Sequence, residues 1–185
     1  MNNKYLKTAI AGLYLSVAAL VFAQEAEVPL YSVEYIILRH LQPVAGTEIW
    51  PLEESDENEV PAQRFAPLQA DQLSLIDIAR RLNEARDIRV IHHGGWIQPG
   101  FSSEDSRRKI IKRSAATGER VNGYFLMQRE RYLRLEMDLT FAIDGELYQM
   151  QTGRRMLSRR THYFDHPYAG IIARITPIEK AAATP

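Results

Sequence analysis

The stretch Tyr132-Leu-Arg-Leu-Glu-Met-Asp-Leu-Thr-Phe-Ala-Ile-Asp-Gly145 decides the fold, because apolar and polar side chains alternate along it. In an extended chain, this period of two places the apolar residues on one face and the polar residues on the other. The pattern predicts an antiparallel strand with the core on one side and water on the other. Asp144-Gly145 predicts a tight hairpin turn at its end, since both residue types tolerate positive φ.

The segments around this strand predict an antiparallel meander. From Asn122 onward, through the alternating stretch, the chain forms either two strands or one long strand with a bulge, because the alternation is poorer from Gln128 to Arg131. A return strand is expected from Glu146 to about Pro167, and a last strand from Ala169 to Pro177. Short turns rather than crossover helices join these strands, so neighbours in sequence are expected to pair in the sheet.

The first half of the chain supplies one further strand and one helix. Tyr31 to Arg39 is rich in β-branched and aromatic residues and is apolar on both faces, which favours a central strand over an edge strand. Ser74 and Asp77 have the spacing of a helix N-terminal cap. We expect this one main helix to pack on the apolar face of the meander, which gives an α+β fold. Its apolar side carries Leu75, Ile78, Ala79, Leu82 and Ala85.

Two segments between the helix and the meander are less regular. Ile88 to Ile91 predicts a short strand, and the glycine-containing stretch from His92 to Gly100 predicts a turn after it. Ser102 to Gly118 is polar and basic, and the sequence leaves open whether it forms a loop or a short helix.

Residues 1–23 have the features of a cleaved secretory signal peptide. Lys4 and Lys7 precede an apolar run from about Ala9 to Val21, and Val21-Phe22-Ala23 provides small residues before the predicted cut. The alternative is an uncleaved anchor, but the run is short for a helix that crosses about 30 Å of hydrocarbon. The whole chain has 23 basic and 23 acidic residues, and cleavage removes Lys4 and Lys7. The mature chain then has 21 basic and 23 acidic residues, which gives a net charge of −2. We therefore expect an exported protein without a membrane anchor and without general affinity for nucleic acid.

The mature chain, residues 24–180, is expected to form a single domain. Pro43 to Pro67 is acidic and proline-rich, which predicts a mobile loop, with Trp50 packing back onto the domain. Residues 181–185 predict a disordered tail. The absence of cysteine excludes disulfides, thiolate metal sites, a cysteine nucleophile and lipid attachment through an N-terminal cysteine. No serine-hydrolase elbow, phosphate loop or dinucleotide motif occurs, so no cofactor is expected.

Four of the five histidines lie in two short stretches, His92-His93 and His162-Tyr-Phe-Asp-His166, and are the sharpest enzyme-like feature. Imidazole groups with Asp165 could form a three-ligand zinc site with an open position, as in a zinc-dependent cell-wall hydrolase. However, the spacing matches no metal motif, and on a strand His162 and Asp165 point to opposite faces. Histidines that pack and hydrogen-bond at strand ends are therefore the favoured interpretation.

Arginine and aromatic side chains accumulate on two predicted strands that face each other if the Asp144-Gly145 turn sets the register. Guanidinium groups bind carboxylates and phosphates at two points, and flat rings pack against sugars, so such a surface suits an anionic glycan or glycopeptide. The first strand carries Arg129, Arg131, Tyr132 and Arg134, and the second carries Arg154, Arg155, Arg159, Arg160 and Tyr163. The alternative is an ordinary charged face that neutralises Glu130, Glu136, Asp138 and Glu146.

From these features we assign candidate ligand-binding residues and no catalytic or metal-binding residue. The arginines would contact carboxylates, and the aromatic rings would lie against sugar or peptide. The candidates are Trp96, Gln98, Arg131, Tyr132, Arg134, Arg154, Arg155 and Tyr163.

Four stretches form a specific set through their order and spacing. They are Tyr31-Ser-Val-Glu-Tyr-Ile-Ile37, Val90-Ile-His-His-Gly-Gly-Trp-Ile-Gln-Pro99, Arg131-Tyr-Leu-Arg-Leu-Glu-Met-Asp-Leu139, and Arg154-Arg-Met-Leu-Ser158 leading to His162-Tyr-Phe-Asp-His-Pro167. With them the chain resembles the CsiV family of periplasmic peptidoglycan-binding proteins over nearly all of its mature length. It departs from the family pattern at Ile97, where a basic residue is usual, and at Arg134, where a histidine is usual.

The resemblance implies non-catalytic binding of peptidoglycan in a Gram-negative periplasm, in support of cell-wall synthesis and cell shape. It also implies assistance to an outer-membrane lipoprotein that activates a class A wall synthase. It assigns no binding residues. A further hypothesis is a structural adaptor that contacts only proteins, with Pro43 to Pro67 or Arg107 to Arg113 as its docking segment.

Overall fold

The computed structural model of the protein describes residues 28–43 and 60–179. The predicted signal peptide, most of the predicted loop with Trp50, and the predicted tail lie outside these residues. None of the helices in the described part of the chain is long and apolar enough to span a bilayer.

The described residues form two antiparallel sheets, with strand orders β2-β3-β1-β9-β8 and β4-β5-β6-β7. The strands are β1 (Leu30–His40), β2 (Ala66–Pro67), β3 (Ile88–Pro99), β4 (Arg108–Ser114), β5 (Arg120–Arg129), β6 (Leu133–Ile143), β7 (Glu146–Met156), β8 (Thr161–Asp165) and β9 (Ala169–Pro177). A single 3-10 turn (Ala70–Gln72) precedes the helix α1 (Ile76–Glu84). We call the first the five-stranded sheet and the second the meander.

The meander confirms the prediction from alternating residues. The apolar residues of β6, from Leu133 to Ile143, are buried at every second position. Ile143 pairs with Glu146 across Asp144 and Gly145, whose φ angles are 53° and 89°. Both values are positive, as a two-residue hairpin turn requires. Strand β5 covers Arg120–Arg129 and ends before β6 begins at Leu133, so the two-strand alternative is the correct one.

The apolar face of the meander packs against the five-stranded sheet and not against the helix. Phe125 and Leu135 share one core cluster with Val33 and Tyr35 of β1. A helix of 9 residues is about 14 Å long, whereas an 11-residue strand such as β6 spans about 36 Å. The helix is therefore too small to cover four strands, and a second sheet does so. The prediction that the helix packs on the apolar face of the meander is therefore wrong.

Helix α1 lies instead on the other face of the five-stranded sheet. Its Ala79, together with Leu75, packs on Ile36 of β1. Strand β1 lies between β3 and β9 and is buried on both faces from Val33 to Leu38, as predicted for a central strand. Alternate residues of β1 therefore serve two different cores, one under the meander and one under the helix.

The start of α1 is held by β1 rather than by its own serine cap. Glu34 is buried beneath the helix and accepts hydrogen bonds from the Ser74 hydroxyl at 2.6 Å and from the Ser74 and Leu75 amides at 2.9 and 2.8 Å. No side-chain capping bond forms within the helix. The carboxylate of Glu34 thus caps the N-terminus of the helix, a function that the sequence spacing predicted for Ser74 and Asp77.

The predicted turn from His92 to Gly100 is a strand. Strand β3 continues to Pro99 and pairs with β1 along its whole length. A Cβ atom on Gly95 would lie 2.5 Å from Cδ1 of Leu68 and 2.6 Å from the carbonyl oxygen of Val33. Leu68 donates its amide to the Gly95 carbonyl at 3.0 Å. This glycine therefore allows close packing of the segment before α1, and it does not make a turn.

The segment from Ser102 to Gly118 contains strand β4, so neither alternative left open by the sequence is correct. Of the last residues of the predicted loop, Ala62 bridges Arg108 of β4, and β2 pairs with β3 in the five-stranded sheet. The return strand β7 ends at Met156, and the chain then crosses to the five-stranded sheet as β8. The last strand covers Ala169–Pro177, as predicted.

Candidate ligand-binding site

Two arginines lie over the ring of Tyr132 at the turn between β5 and β6, and a third lies opposite one of them on the neighbouring strand. The Tyr132 ring is 43% exposed. The Cζ atom of Arg155 lies 3.3 Å from the ring centroid, and that of Arg131 lies 5.4 Å from it. Arg134 is the direct cross-strand partner of Arg155. We call Arg131, Tyr132, Arg134 and Arg155 the Tyr132 cluster.

The cross-strand pair in the Tyr132 cluster has like charges. The register counted from the Asp144-Gly145 turn places Arg134 opposite Arg155, on the face of the meander that points away from the five-stranded sheet. Like charges directly opposite each other on neighbouring strands are destabilising. Part of this repulsion is offset because Arg134 forms an ion pair with Glu136. An anion bound between the two guanidinium groups would offset it further.

Two guanidinium groups of the cluster have no acid partner among residues 28–43 and 60–179. The side chains of Arg131 and Arg155 form neither an ion pair nor a hydrogen bond there, and the Tyr132 ring is their described contact. A guanidinium stacked on a ring keeps its N–H groups directed outward in its own plane. These groups are therefore held in place by the ring and are available to a carboxylate or phosphate.

A cavity of about 320 Å³ continues the cluster along the meander. A Cβ atom on Gly153 would lie 2.8 Å from Cγ of Glu136, so this glycine leaves room for the Arg134 and Glu136 side chains. Tyr124 contributes a hydroxyl whose pKa is raised by burial and by the charge of Asp138, so it stays protonated as a hydrogen-bond donor. The cavity is lined by Tyr124, Arg134, Glu136, Met137, Gln151, Thr152 and Gly153.

Sequence reasoning missed these additional lining residues. The one available signal was Gly153, because an isolated glycine within a strand pattern indicates a close approach of neighbouring groups. Tyr124 and Gln151 gave no signal, since their common face depends on the pairing of β5 and β7 through β6.

Trp96 and Gln98 lie in the core and not beside the cluster. Trp96 is 0% exposed and donates its indole N–H to Gln98 Oε1 at 2.7 Å. Gln98 donates to the Met127 carbonyl at 3.1 Å, which links the two sheets. Both side chains face inward on β3, so they are buried away from the surface that carries the arginines.

Arg154 and Tyr163 also lie outside the Tyr132 cluster. Arg154 follows the inward alternation of β7, stacks over Phe164 and donates to the Tyr163 carbonyl at 3.0 Å. Tyr163 belongs to β8 in the five-stranded sheet, and its hydroxyl donates to Asp165 at 2.9 Å. Burial and this hydrogen bond raise the pKa of Tyr163. The structure therefore brings together four of the eight candidate residues: Arg131, Tyr132, Arg134 and Arg155.

The acids near these arginines are mostly engaged elsewhere. Glu130 accepts hydrogen bonds from the amide and hydroxyl of Ser103 at 2.7 and 2.8 Å. Asp138 accepts one from Gln149 at 2.9 Å. Only Glu136 pairs with an arginine of the cluster among the residues described. Among the described residues, the arginines of the cluster are therefore neutralised only in part, by Glu136.

The histidine stretches lie on different strands of the five-stranded sheet. His93 is on β3 and His162 on β8, with β1 and β9 between them, a separation of about 14 Å at strand spacing. His93 pairs with Glu34 at 2.8 Å, and His162 accepts the Leu157 amide at 3.0 Å. Within the described ranges, no group of three or more His, Asp or Glu side chains could hold a metal ion. The zinc hypothesis needs these groups in one place, and this arrangement does not provide it.

His92 is held neutral by its surroundings. Arg113 donates its Nε–H to His92 Nε2 at 3.0 Å, which leaves the ring nitrogen as an acceptor. Burial, together with the charges of Arg113 and His93, lowers the pKa of His92 to about 4. The ring packs 5.6 Å from that of Tyr35. His92 is therefore a packed, hydrogen-bonded histidine, as the favoured interpretation of the sequence expected.

The comparisons with known proteins agree with the resemblance seen in the sequence. A family model described as "Peptidoglycan-binding protein, CsiV" matches residues 8–178 of the 185-residue chain. No curated protein and no solved structure matches the chain. The match includes the helix and all nine strands of the two sheets. The chain belongs to the CsiV family of peptidoglycan-binding proteins.

Proposed function

We propose that this protein binds peptidoglycan without turnover, as an exported periplasmic protein, and that the Tyr132 cluster is the binding surface. One observation carries the assignment of the surface: Arg131 and Arg155 are held on an exposed ring, with no acid partner among the described residues. The family description supports the choice of ligand.

The proposed contacts follow from the chemistry of the two partners. Peptidoglycan stem peptides carry carboxylates, and each guanidinium can bind one carboxylate through two N–H groups. The Tyr132 ring carries Arg155 at 3.3 Å, so its main role is to position that guanidinium rather than to stack on a sugar. Sugar hydroxyls or peptide groups would enter the adjacent cavity, where Tyr124 and Gln151 offer hydrogen bonds.

We further propose that wall binding supports cell-wall synthesis and cell shape, by assisting an outer-membrane lipoprotein that activates a class A wall synthase. This part rests on the family resemblance alone. A pull-down from a cell envelope extract, before and after enzymatic digestion of the wall, tests it. Recovery of such a lipoprotein in either sample supports the proposal, and its absence from both contradicts it.

Co-sedimentation with purified sacculi tests the binding surface. The Arg131→Ala plus Arg155→Ala variant should bind about tenfold more weakly than the parent, because two charge-assisted contacts at an exposed site are lost. The matched control is Arg81→Ala plus Arg86→Ala, which removes two exposed arginines at the far side of the molecule and should leave binding unchanged. Added salt should weaken binding of the parent, since the contacts are exposed.

The outcomes of this experiment test peptidoglycan binding and the role of the Tyr132 cluster separately. A parent protein that does not pellet with sacculi contradicts peptidoglycan binding. A parent that pellets, together with a double variant that pellets equally well, keeps the function and removes the Tyr132 cluster from it.

A further inference from the structure

Strand β4 forms an edge of the meander, at the side opposite to β7. On its outer side the described chain pairs with it at one point only, where Ala62 bridges Arg108. There the Arg108 amide donates to the Pro61 carbonyl at 2.9 Å, and the Gln63 amide donates to the Arg108 carbonyl at 3.0 Å. From Ile110 to Ser114, none of the described strands pairs with this edge.

The backbone of this free segment is oriented for pairing. Because every second residue of a strand points its N–H and C=O groups to the same side, Ile110 and Lys112 present theirs to the same edge as Arg108. The Lys112 carbonyl accepts a hydrogen bond from the Arg113 side chain at 3.1 Å, which is the one such contact described for it. The side chain of Ile110 is 50% exposed. The segment is long enough for an added strand of about five residues.

A groove of about 630 Å³ runs along this edge, and its described lining is strongly basic. Arg64, Lys109, Lys112 and Arg113 contribute four cations, and none of the described acids lines the groove. None of the four forms an ion pair with an acid of residues 28–43 or 60–179. Burial and the neighbouring charge of Arg113 lower the pKa of Lys109, in keeping with a site where cations crowd together. The remaining lining residues are Ala62, Gln63 and Ile110.

We propose that the free edge of β4 binds an extended acidic peptide segment of a partner protein by strand addition. Main-chain hydrogen bonds to Ile110 and Lys112 would supply the pairing, and acidic side chains would meet the four cations. The chemistry disfavours a second copy of this chain, because two β4 edges placed side by side would bring their lysines and arginines together. The Tyr132 cluster lies across the meander, at the β5–β6 turn and on β6 and β7, so this site is separate from the proposed wall-binding surface.

The test uses the purified protein and a fluorescent peptide of about seven residues with alternating Glu and Val, blocked at both ends. Fluorescence anisotropy measures its binding. A second peptide has the same sequence, but its alternate backbone nitrogens are methylated, so that it keeps the charge and loses the pairing N–H groups. A third peptide carries Lys in place of Glu. We expect the first to bind and the other two to bind at least about tenfold more weakly.

Two variants localise the site. Ile110→Pro removes one edge-facing amide, and proline is tolerated on edge strands where that amide faces solvent. Lys109→Ala plus Lys112→Ala removes two cations, with Arg81→Ala plus Arg86→Ala as the charge-matched control. We expect each β4 variant to weaken peptide binding about tenfold, whereas the control and the Arg131→Ala plus Arg155→Ala variant should bind like the parent.

Several outcomes would overturn the proposal. Failure of the parent to bind the acidic peptide is one of them. Equal binding of the methylated and unmethylated acidic peptides is another, because only charge attraction without strand pairing would then explain the binding. Competition by soluble wall fragments would show that the groove belongs to the wall-binding surface. If Ile110→Pro does not fold, as judged by circular dichroism, the methylated peptide still decides the question, because it leaves the protein unchanged.

Discussion

Replacing Glu34 by Gln should destabilise the protein strongly, although the two side chains have nearly the same shape. The Glu34 carboxylate is 3% exposed and accepts four hydrogen bonds, from the Ser74 amide and hydroxyl, the Leu75 amide and the His93 ring. Each carboxylate oxygen receives two of them. A glutamine keeps one oxygen and turns an NH₂ group toward two of these donors.

The expected magnitude follows from the lost contacts. Hydrogen bonds to charged groups contribute about 1.5–3 kcal/mol each, so losing two costs about 3–6 kcal/mol. The lower end is expected, because Ser74 is exposed and its groups can reach water. We therefore expect the free energy of unfolding to fall by about 3 kcal/mol, which moves the midpoint of urea denaturation by about 1.5 M. Glu84→Gln, an exposed change at the other end of α1, is the control and should alter the free energy by less than about 0.5 kcal/mol.

The pH dependence provides a second check on Glu34. Burial alone raises the pKa of Glu34, but hydrogen bonds from His93, Ser74 and Leu75 outweigh it and hold the pKa below its ordinary value. Its stabilising effect is therefore complete above the unfolded-state pKa of about 4.3 and is lost as the pH falls through the lower pKa of the folded state. The gap in unfolding free energy between the parent and Glu34→Gln should narrow in acid. A gap that matches the Glu84→Gln control, or that stays constant down to acid pH, would refute this account.

Three other experiments test the fold and the site. Trp96→Phe should lower the free energy of unfolding by about 2 kcal/mol in urea denaturation, because a smaller ring leaves part of the buried indole space empty and Gln98 loses its hydrogen-bond donor. Sacculus binding should stay intact, and loss of binding in folded protein would return Trp96 to the site. Gly123→Ala should cost more than about 3 kcal/mol in thermal unfolding, since φ is 132° and the new Cβ would lie 2.0 Å from the Asp138 carbonyl oxygen. Gly118→Ala, with φ of 98° and open space around it, should cost only about 1 kcal/mol, and equal losses would contradict the β5–β6 register. Elemental analysis should find no stoichiometric zinc and sacculi should release no muropeptides, because the histidine stretches lie apart; either zinc or release would restore the hydrolase hypothesis.

Local patterns predicted the meander well because its strands pair with their neighbours in sequence. The alternation from Leu133 to Ile143 and the turn at Asp144-Gly145 together determine the register, and that register places Arg134 opposite Arg155. The pairing of two residues of the Tyr132 cluster can thus be predicted by counting residues away from the Asp144-Gly145 turn. Strand β1 was also identifiable as central, because its apolar residues fall on both faces.

The second sheet could not be predicted, because its pairings join distant parts of the chain. Strand β1 pairs with β3 and β9, far away in sequence, and no local pattern encodes this choice. The same pairing turns Trp96 inward, whereas the sequence shows only an aromatic residue beside glycines. Tyr163 was assigned to the hairpin because nothing in the sequence marks where the chain leaves β7 for the other sheet.

Strand β4 was missed for a different physical reason. It is an edge strand with charged side chains on both faces, so it lacks the alternation that identifies a half-buried strand. Its sequence, Arg108-Lys-Ile-Ile-Lys-Arg-Ser114, is equally typical of a solvated loop or helix. The lysines and arginines of β4 thus hide the strand pattern in the sequence, and they also make the β4 edge a candidate site for an acidic peptide.

The most direct test of the central claim is a nuclear magnetic resonance titration of nitrogen-15-labelled protein with a purified soluble peptidoglycan fragment. We expect the amide signals from Arg131 to Arg134 and from Gly153 to Arg155 to shift together as the fragment concentration rises, while those of α1 stay in place. Shifts confined to the β4 groove, to the helix or to the histidine stretches would contradict the claim that the Tyr132 cluster binds the wall.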